Sequence, residues 1–301
     1  MVEAEPFQCL MLGLPKAGKT TFLAALWHVL KSGEIPGSLL MGPREGDQEY
    51  LNQIADQWSK CEELDRTPGS GHMGVTILLR DEDQGSVVRM SIPDMSGEIY
   101  ASQWEHRGCD AEFADLVTRA GGCLAFVHAG TLTPTAWIAD AQALYDEWVG
   151  EEGEEEEEVE PKEAEPEGGV SDSASSGNPW VAKDAPTQVQ MVEVLQFLAE
   201  LAGRRLRLAL VVSAWDLVGD GLSPDGWVAR DLPLLWQFLQ TNPDLFEVVY
   251  MGVSAQGGKR SDTTLLDHDI ASHRIKVVAP GVESNDITHP IRWLMSPAES
   301  E

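Results

Sequence analysis

The string GLPKAGKT at residues 13–20 constrains this chain more than any other feature in it. It fits Gly-x4-Gly-Lys-Ser/Thr and sits between an apolar run, Phe7 to Leu12, and an amphipathic helical pattern. A strand therefore delivers the chain to a tight turn, and a helix leaves it. The first N–H groups of that helix lack intrahelical acceptors and carry the positive end of the helix dipole. A polyphosphate can supply the missing acceptors. Gly13 and Gly18 let the backbone curl around an anion without Cβ clashes, and the intervening Lys16 and Ala17 complete the candidate phosphate-binding loop. Lys19 can reach the outer phosphates, the Thr20 hydroxyl can ligand Mg²⁺, and Thr21 continues the turn.

The formal charge of −29 bears on partners. Residues 151–167 hold eleven glutamates and one lysine, a net −10 of that total. The remainder is still strongly acidic, so nucleic-acid phosphates and anionic lipid are repelled. Cys9, Cys61, Cys109 and Cys123 have no CxxC spacing, and Cys9 and Cys123 fall in apolar runs as core residues. This usage suits a reduced, cytoplasmic setting. MVEAEPF lacks the pattern of a signal peptide, and no apolar run approaches the ~20 residues that span a bilayer.

Further along, the periodicity predicts a helix over 21–31, stopped at Gly33, and another around 50–63. Residues 74–80 and 86–92 read as a β-hairpin, 110–119 as helix, and 123–129 as a buried strand. A helix is expected over 135–149. The segment 150–186 is acidic and poor in apolar residues, and is expected to be a disordered insertion. A helix (189–202), a strand (207–216), one helix (225–240), a strand (246–255), a polar stretch and a closing helix (289–295) follow. Strands alternating with helices indicate an α/β fold with a mostly parallel sheet. The whole chain, 1–301, reads as a single domain carrying that insertion.

Three segments narrow the chemistry. SIPDMSGE puts Asp94 at the end of an apolar strand, with Gly97 three residues on, fit for a Mg²⁺-holding carboxylate and an N–H to a γ-phosphate. VVSAWD brings Asp216 to the end of another strand, where a carboxylate can accept from the N1–H and 2-amino group of guanine. Adenine lacks both donors. GVSAQG places Ser254, Ala255 and Gln256 where a backbone N–H can meet guanine O6.

Taken in order, these motifs resemble the Ras/Arf-like GTPases of the TRAFAC class. The start GLPKAGKTTFLAALWHVL and the closing HPIRWLM look like the bacterial double-GTPase type found in multicomponent conflict systems. The resemblance implies a P-loop NTPase three-layer sandwich, its sheet of about six strands mostly parallel with one antiparallel edge, and nucleotide at the strands' carboxyl ends. It implies a GTP-binding switch that takes GTP or GDP with Mg²⁺ and acts through a protein effector or activating protein.

Two departures stand out. Asn-Lys-x-Asp appears as Ser213-Ala214-Trp215-Asp216, which keeps the carboxylate but loses the lysine; Trp215 could cover the base in its place. Glu98 stands beside Gly97 where relatives carry Gln or His, so intrinsic hydrolysis should be slow. For the switch I ligand of Mg²⁺, Thr67 in its Gly/Pro-rich loop is preferred over Thr76, which falls inside a strand. Arg66 is either an arginine finger in cis or a solvated loop arginine. The alternatives to a hydrolysing switch are a non-hydrolysing nucleotide-bound scaffold and a P-loop ATPase.

Overall fold

The computed structural model describes residues 6–42, 48–64, 75–82, 85–92, 103, 106, 108–135, 184–219, 221–259, 261–267 and 270–296. Tertiary contacts divide the chain into one compact unit, residues 1–132 with 187–301, and a second, 133–186, most of which lies outside the described residues. The predicted helix 135–149 and almost all of the acidic insertion fall there.

The strand expected before the glycine-rich turn is β1 (Phe7–Gly13), and α1 (Lys19–Ser32) leaves it. Gly33 closes α1 with its N–H on the Val29 carbonyl, as the sequence suggested. Then come β2 (Leu40–Met41), α2 (Glu49–Ser59), β3 (Val75–Asp81), β4 (Ser86–Ile92), α3 (Ala111–Arg119) and β5 (Gly122–His128). Asp110 caps α3, accepting from the Phe113 N–H at 2.7 Å. The second half holds α4 (Thr187–Ala202), β6 (Leu206–Ser213), α5 (Pro224–Asp231), α6 (Pro233–Thr241), β7 (Phe246–Ser254), β8 (Lys276–Ala279), β9 (Val282–Ser284) and α7 (His289–Met295).

The fold is a P-loop NTPase α/β sandwich, with a sheet in the order β2-β3-β4-β1-β5-β6-β7-β8-β9. The five central strands, β4-β1-β5-β6-β7, are parallel. They are apolar throughout because both faces are covered. Along β1, Cys9 and Met11 enter the layer of α1, α2 and α7, while Leu10 and Leu12 enter that of α3 to α6. Cys9 and Cys123 are core residues, as read.

The expectation of about six strands with one antiparallel edge is corrected. Nine strands lie among the described residues, and antiparallel pairs flank the parallel centre on both sides. The additions are short: β2 is two residues, and β8 and β9 form a hairpin around Pro280–Gly281 within the supposed polar stretch. Runs this short carry too little alternation to be read. The single helix expected over 225–240 is two. Leu232, forced out of the helical region by Pro233 (φ −131°, ψ 54°), breaks it.

Candidate nucleotide site

The carboxyl ends of β1, β5, β6 and β7 converge on a cleft of ≈ 220 Å³, with Gly18, Thr21, His128, Asp216, Ala255 and Gln256 in its lining. One end is the glycine-rich turn. The Ala17 N–H closes it on the Leu14 carbonyl at 3.2 Å. Gly18 precedes α1 at φ 91° with no side-chain cap, and no acidic residue occupies the helix's first turn. The helix's own first turn thus sets no anionic side chain against the positive end of the dipole. A Cβ on Gly18 would lie 2.5 Å from the Ser213 Oγ, so close approach as well as backbone angle demands glycine. Lys16 also has positive φ, 63°.

Lys19 is only 3 % exposed. Its Nζ donates to the Gly13 carbonyl at 2.6 Å and the Leu14 carbonyl at 3.1 Å, so the ammonium sits against the turn's own carbonyls. Thr20 and Thr21 are half-buried at the helix start. From across the sheet, the Ser213 Oγ donates to the Ala17 carbonyl at 2.8 Å and ties the end of β6 to the turn.

At the other end β6 stops at Ser213, earlier than expected. Ala214 turns the chain through the left-handed region (φ 53°, ψ 45°), a strain of about 1–2 kcal/mol. Asp216 therefore stands in the 3₁₀ turn Trp215–Leu217 rather than at a strand end. Trp215 does not cover the cleft. It is 6 % exposed and packs on β7 at Gly252, where a Cβ would fall 2.2 Å from the indole. The Ser254 Oγ donates to Asp216 Oδ1 and accepts from the Gly257 N–H at 3.1 Å, which orients the carboxylate and closes the Ser254–Gly257 turn.

His128 ends the apolar run of β5 and was not singled out by the sequence. Its Nδ1 accepts from the Gly130 N–H at 3.0 Å. Burial pushes its pKa down, against an upward pull from Asp216, so the ring presents a neutral Nε2–H tautomer near neutral pH. Arg66, Thr67, Asp94, Gly97 and Glu98 lie outside the described residues. Thr76 lies in β3, opposite Ser91 of β4. β4 ends at Ile92 alongside β1, two residues before Asp94. The Thr20 hydroxyl, at the start of α1, is a hard oxygen donor, the chemistry that suits Mg²⁺.

Over residues 10–294 the chain matches the family described as Double-GTPase 1. It belongs to that family. No curated protein matches the chain. Among solved structures it is similar to the signal recognition particle receptor SRb-GTP/SRX complex from Chaetomium thermophilum, at 10 % identity and a TM-score of 0.38 over 84 % of this chain and 92 % of that one. The Ski7 GTPase-like domain of S. cerevisiae bound to GTP gives 12 % identity and 0.38, over 84 % of this chain and 43 % of that one. A bacterial selenocysteine-specific elongation factor, EF-Sec, gives 12 % and 0.33, over 89 % and 30 %.

Proposed function

We propose that this member of the double-GTPase 1 family is a Mg²⁺-dependent GTP switch that hydrolyses GTP slowly. One observation carries the reading: a glycine turn that buries a lysine leads into an uncapped helix start at one end of a cleft whose other end holds an oriented carboxylate. Backbone N–H groups at the start of α1, from Gly18 to Thr21, meet the phosphates, and the loop residues Gly13, Lys16 and Ala17 wrap around them. Lys19 pivots from the turn's carbonyls to the β- and γ-oxygens. Thr20, Asp94 and, in the triphosphate state, Thr67 would hold the metal. Mg²⁺ bound there would neutralise negative charge on the β- and γ-phosphates. Asp216 reads N1–H and the 2-amino group, and the Ser254–Gln256 turn reads O6. Gly97 meets the γ-phosphate and Glu98 faces the attacking water. Arg66 is the candidate for charge compensation within the chain.

The expectation of slow turnover rests on Glu98, whose negative charge beside the γ-phosphate opposes the reaction. A protein partner that contacts the loops of Thr67 and Glu98 and supplies an arginine would raise the rate by about 10³–10⁵-fold. The domain organisation proposed is one GTPase domain, 1–301, with 150–186 as an insertion. No helix among the described residues is long and apolar enough to cross a membrane. A cytoplasmic setting follows the cysteine usage.

Ala214, in place of the family's lysine, favours a second reading, a scaffold that binds nucleotide without hydrolysing it. Titration with GTP, GDP and ATP, phosphate release, and extraction of nucleotide from the purified protein separate these readings. Guanine-selective binding with slow release supports the switch. Binding without release supports the scaffold, and ATP preference overturns both. Isolated-chain turnover on the order of 1 s⁻¹ that survives Arg66→Ala contradicts the slow switch.

A further inference from the structure

Helix α2 packs against α1 and runs back towards the cleft. Asn52, near its start, accepts from the Trp27 Nε1–H at 3.1 Å and from Lys31 Nζ at 2.8 Å, at the far end of α1. Trp58, in its last turn, is completely buried. Its Nε1–H donates to the Ala255 carbonyl at 3.0 Å, across 197 residues of sequence. One turn on, Cys61 Sγ accepts from Gln256 Nε2 at 3.3 Å. The C-terminal end of α2 thus holds two successive residues of the turn that closes the base end of the cleft.

The indole is itself fixed. The Arg274 guanidinium lies 4.1 Å over its ring and donates to the carbonyls of Trp58 and of Ser59, the latter at 3.2 Å. This cation completes the carbonyl end of the helix, where its charge is favoured. The His28 ring lies 5.0 Å from the indole, tilted 49°. Burial and these two ring contacts hold the indole in one orientation, so its N–H is a preorganised donor.

A trans peptide is planar, so fixing one carbonyl fixes the N–H across the same bond. Anchoring the Ala255 carbonyl on α2 directs the Gln256 N–H the opposite way and sets the torsions of Ala255. Both residues line the cleft. We propose that Trp58 is a positioning residue for the guanine base: through the Ala255 carbonyl it aims the backbone donors of the Ser254–Gln256 turn at O6. This rests on the guanine-reading role proposed above for that turn.

Three triphosphates test it. Relative to GTP, 6-thioguanosine triphosphate keeps N1–H and the 2-amino group but carries sulfur, a weak acceptor, in place of O6. Inosine triphosphate keeps O6 and N1–H but lacks the 2-amino group. The wild-type chain should favour GTP over the thio analogue by about tenfold, the worth of one well-formed hydrogen bond. Trp58→Phe should reduce that preference to about twofold and leave the preference for GTP over inosine triphosphate, read by Asp216, unchanged. A side chain this buried can fail to fold when shortened. The second variant therefore places 3-benzothienylalanine at position 58, where sulfur replaces the indole N–H in nearly the same volume. The same selective loss is expected there. If affinity for all three nucleotides falls together with the ratios intact, or if the full preference for O6 survives, Trp58 does not position the turn. If the wild type itself does not distinguish GTP from the thio analogue, the guanine-reading turn is wrong, and the inference falls with it.

Discussion

The two ends of the cleft are built in different ways. The end proposed for phosphate comes from one contiguous stretch, residues 13–20, with one tie from afar, Ser213 to Ala17. The end proposed for the base is assembled from three stretches distant in sequence: Trp58 to Cys61, Ala214 to Asp216, and Ser254 to Gly257. A locally encoded cradle needs little from the rest of the fold, because a glycine turn and a helix start suffice to make an anion site. A site assembled from distant parts depends on packing, and can change one contact at a time. Here a strained alanine stands at the lysine position of the Asn-Lys-x-Asp motif, and an α2 tryptophan holds the opposite wall. Substitutions at the phosphate end should weaken all nucleotides alike, while those at the base end should change which base is preferred.

The largest effect expected is from Lys19→Ala. Loss of charge-assisted bonds to phosphate should weaken GTP, GDP and ATP together by about a hundredfold or more in a binding titration. Because Lys19 is buried and bonded to two carbonyls, the variant should also lose about 1–2 kcal/mol of stability, yet melt cooperatively. Unchanged affinity in a natively folded variant would remove the phosphate role.

At the opposite end, Asp216→Asn should cost about thirtyfold in GTP affinity and raise affinity for xanthosine triphosphate. The amide donates where the carboxylate accepted, which matches the C2 carbonyl of xanthine. Affinity for inosine triphosphate should fall less than that for GTP, since it has one fewer donor to lose. A variant that binds GTP as before and still rejects xanthine would show that Asp216 does not read the base.

The same contrast decided what could be read from the residues. The placement of Gly18 and Lys19 was legible because the turn and the helix start follow from adjacent positions in one string. The central strands were legible because a fully buried strand is apolar throughout, as in β5 and β6. Trp58 was invisible: it reads as one more apolar position on an amphipathic helix, and only the fold brings it to Ala255. Trp215 shows the same limit from the other side. Its place in the motif was plain, but its direction is set by Gly252, a residue of the neighbouring strand with no side chain to exclude it. His128 carried a weak signal, a polar residue closing an apolar run where parallel strands end at a site.

Ser213 offers a sharper cut through the comparison, because it belongs to the base motif by sequence and to the phosphate turn by contact. Ser213→Ala removes the bond to the Ala17 carbonyl and should weaken GTP, GDP and ATP by about fivefold each, with base preference unchanged. A selective loss of GTP alone would return Ser213 to the base end and blur the division.

The smallest effect expected comes from a segment assigned to neither end. Deleting residues 151–180 removes eleven glutamates, one aspartate and one lysine. Shortening a connection changes its closure entropy by only about 0.6 kcal/mol per halving, so the melting transition should scarcely move. The electrostatic change has a definite sign. Removing net negative charge lessens repulsion of an anionic nucleotide, so GTP affinity should rise, by no more than about twofold at low salt. The gain should vanish near physiological ionic strength, where the Debye length is ~8 Å. ATP should gain as much as GTP, since the effect acts on phosphate charge and not on the base. A cooperative melt lost on deletion would show that the segment is part of the folded domain. A gain confined to GTP would place it against the base end.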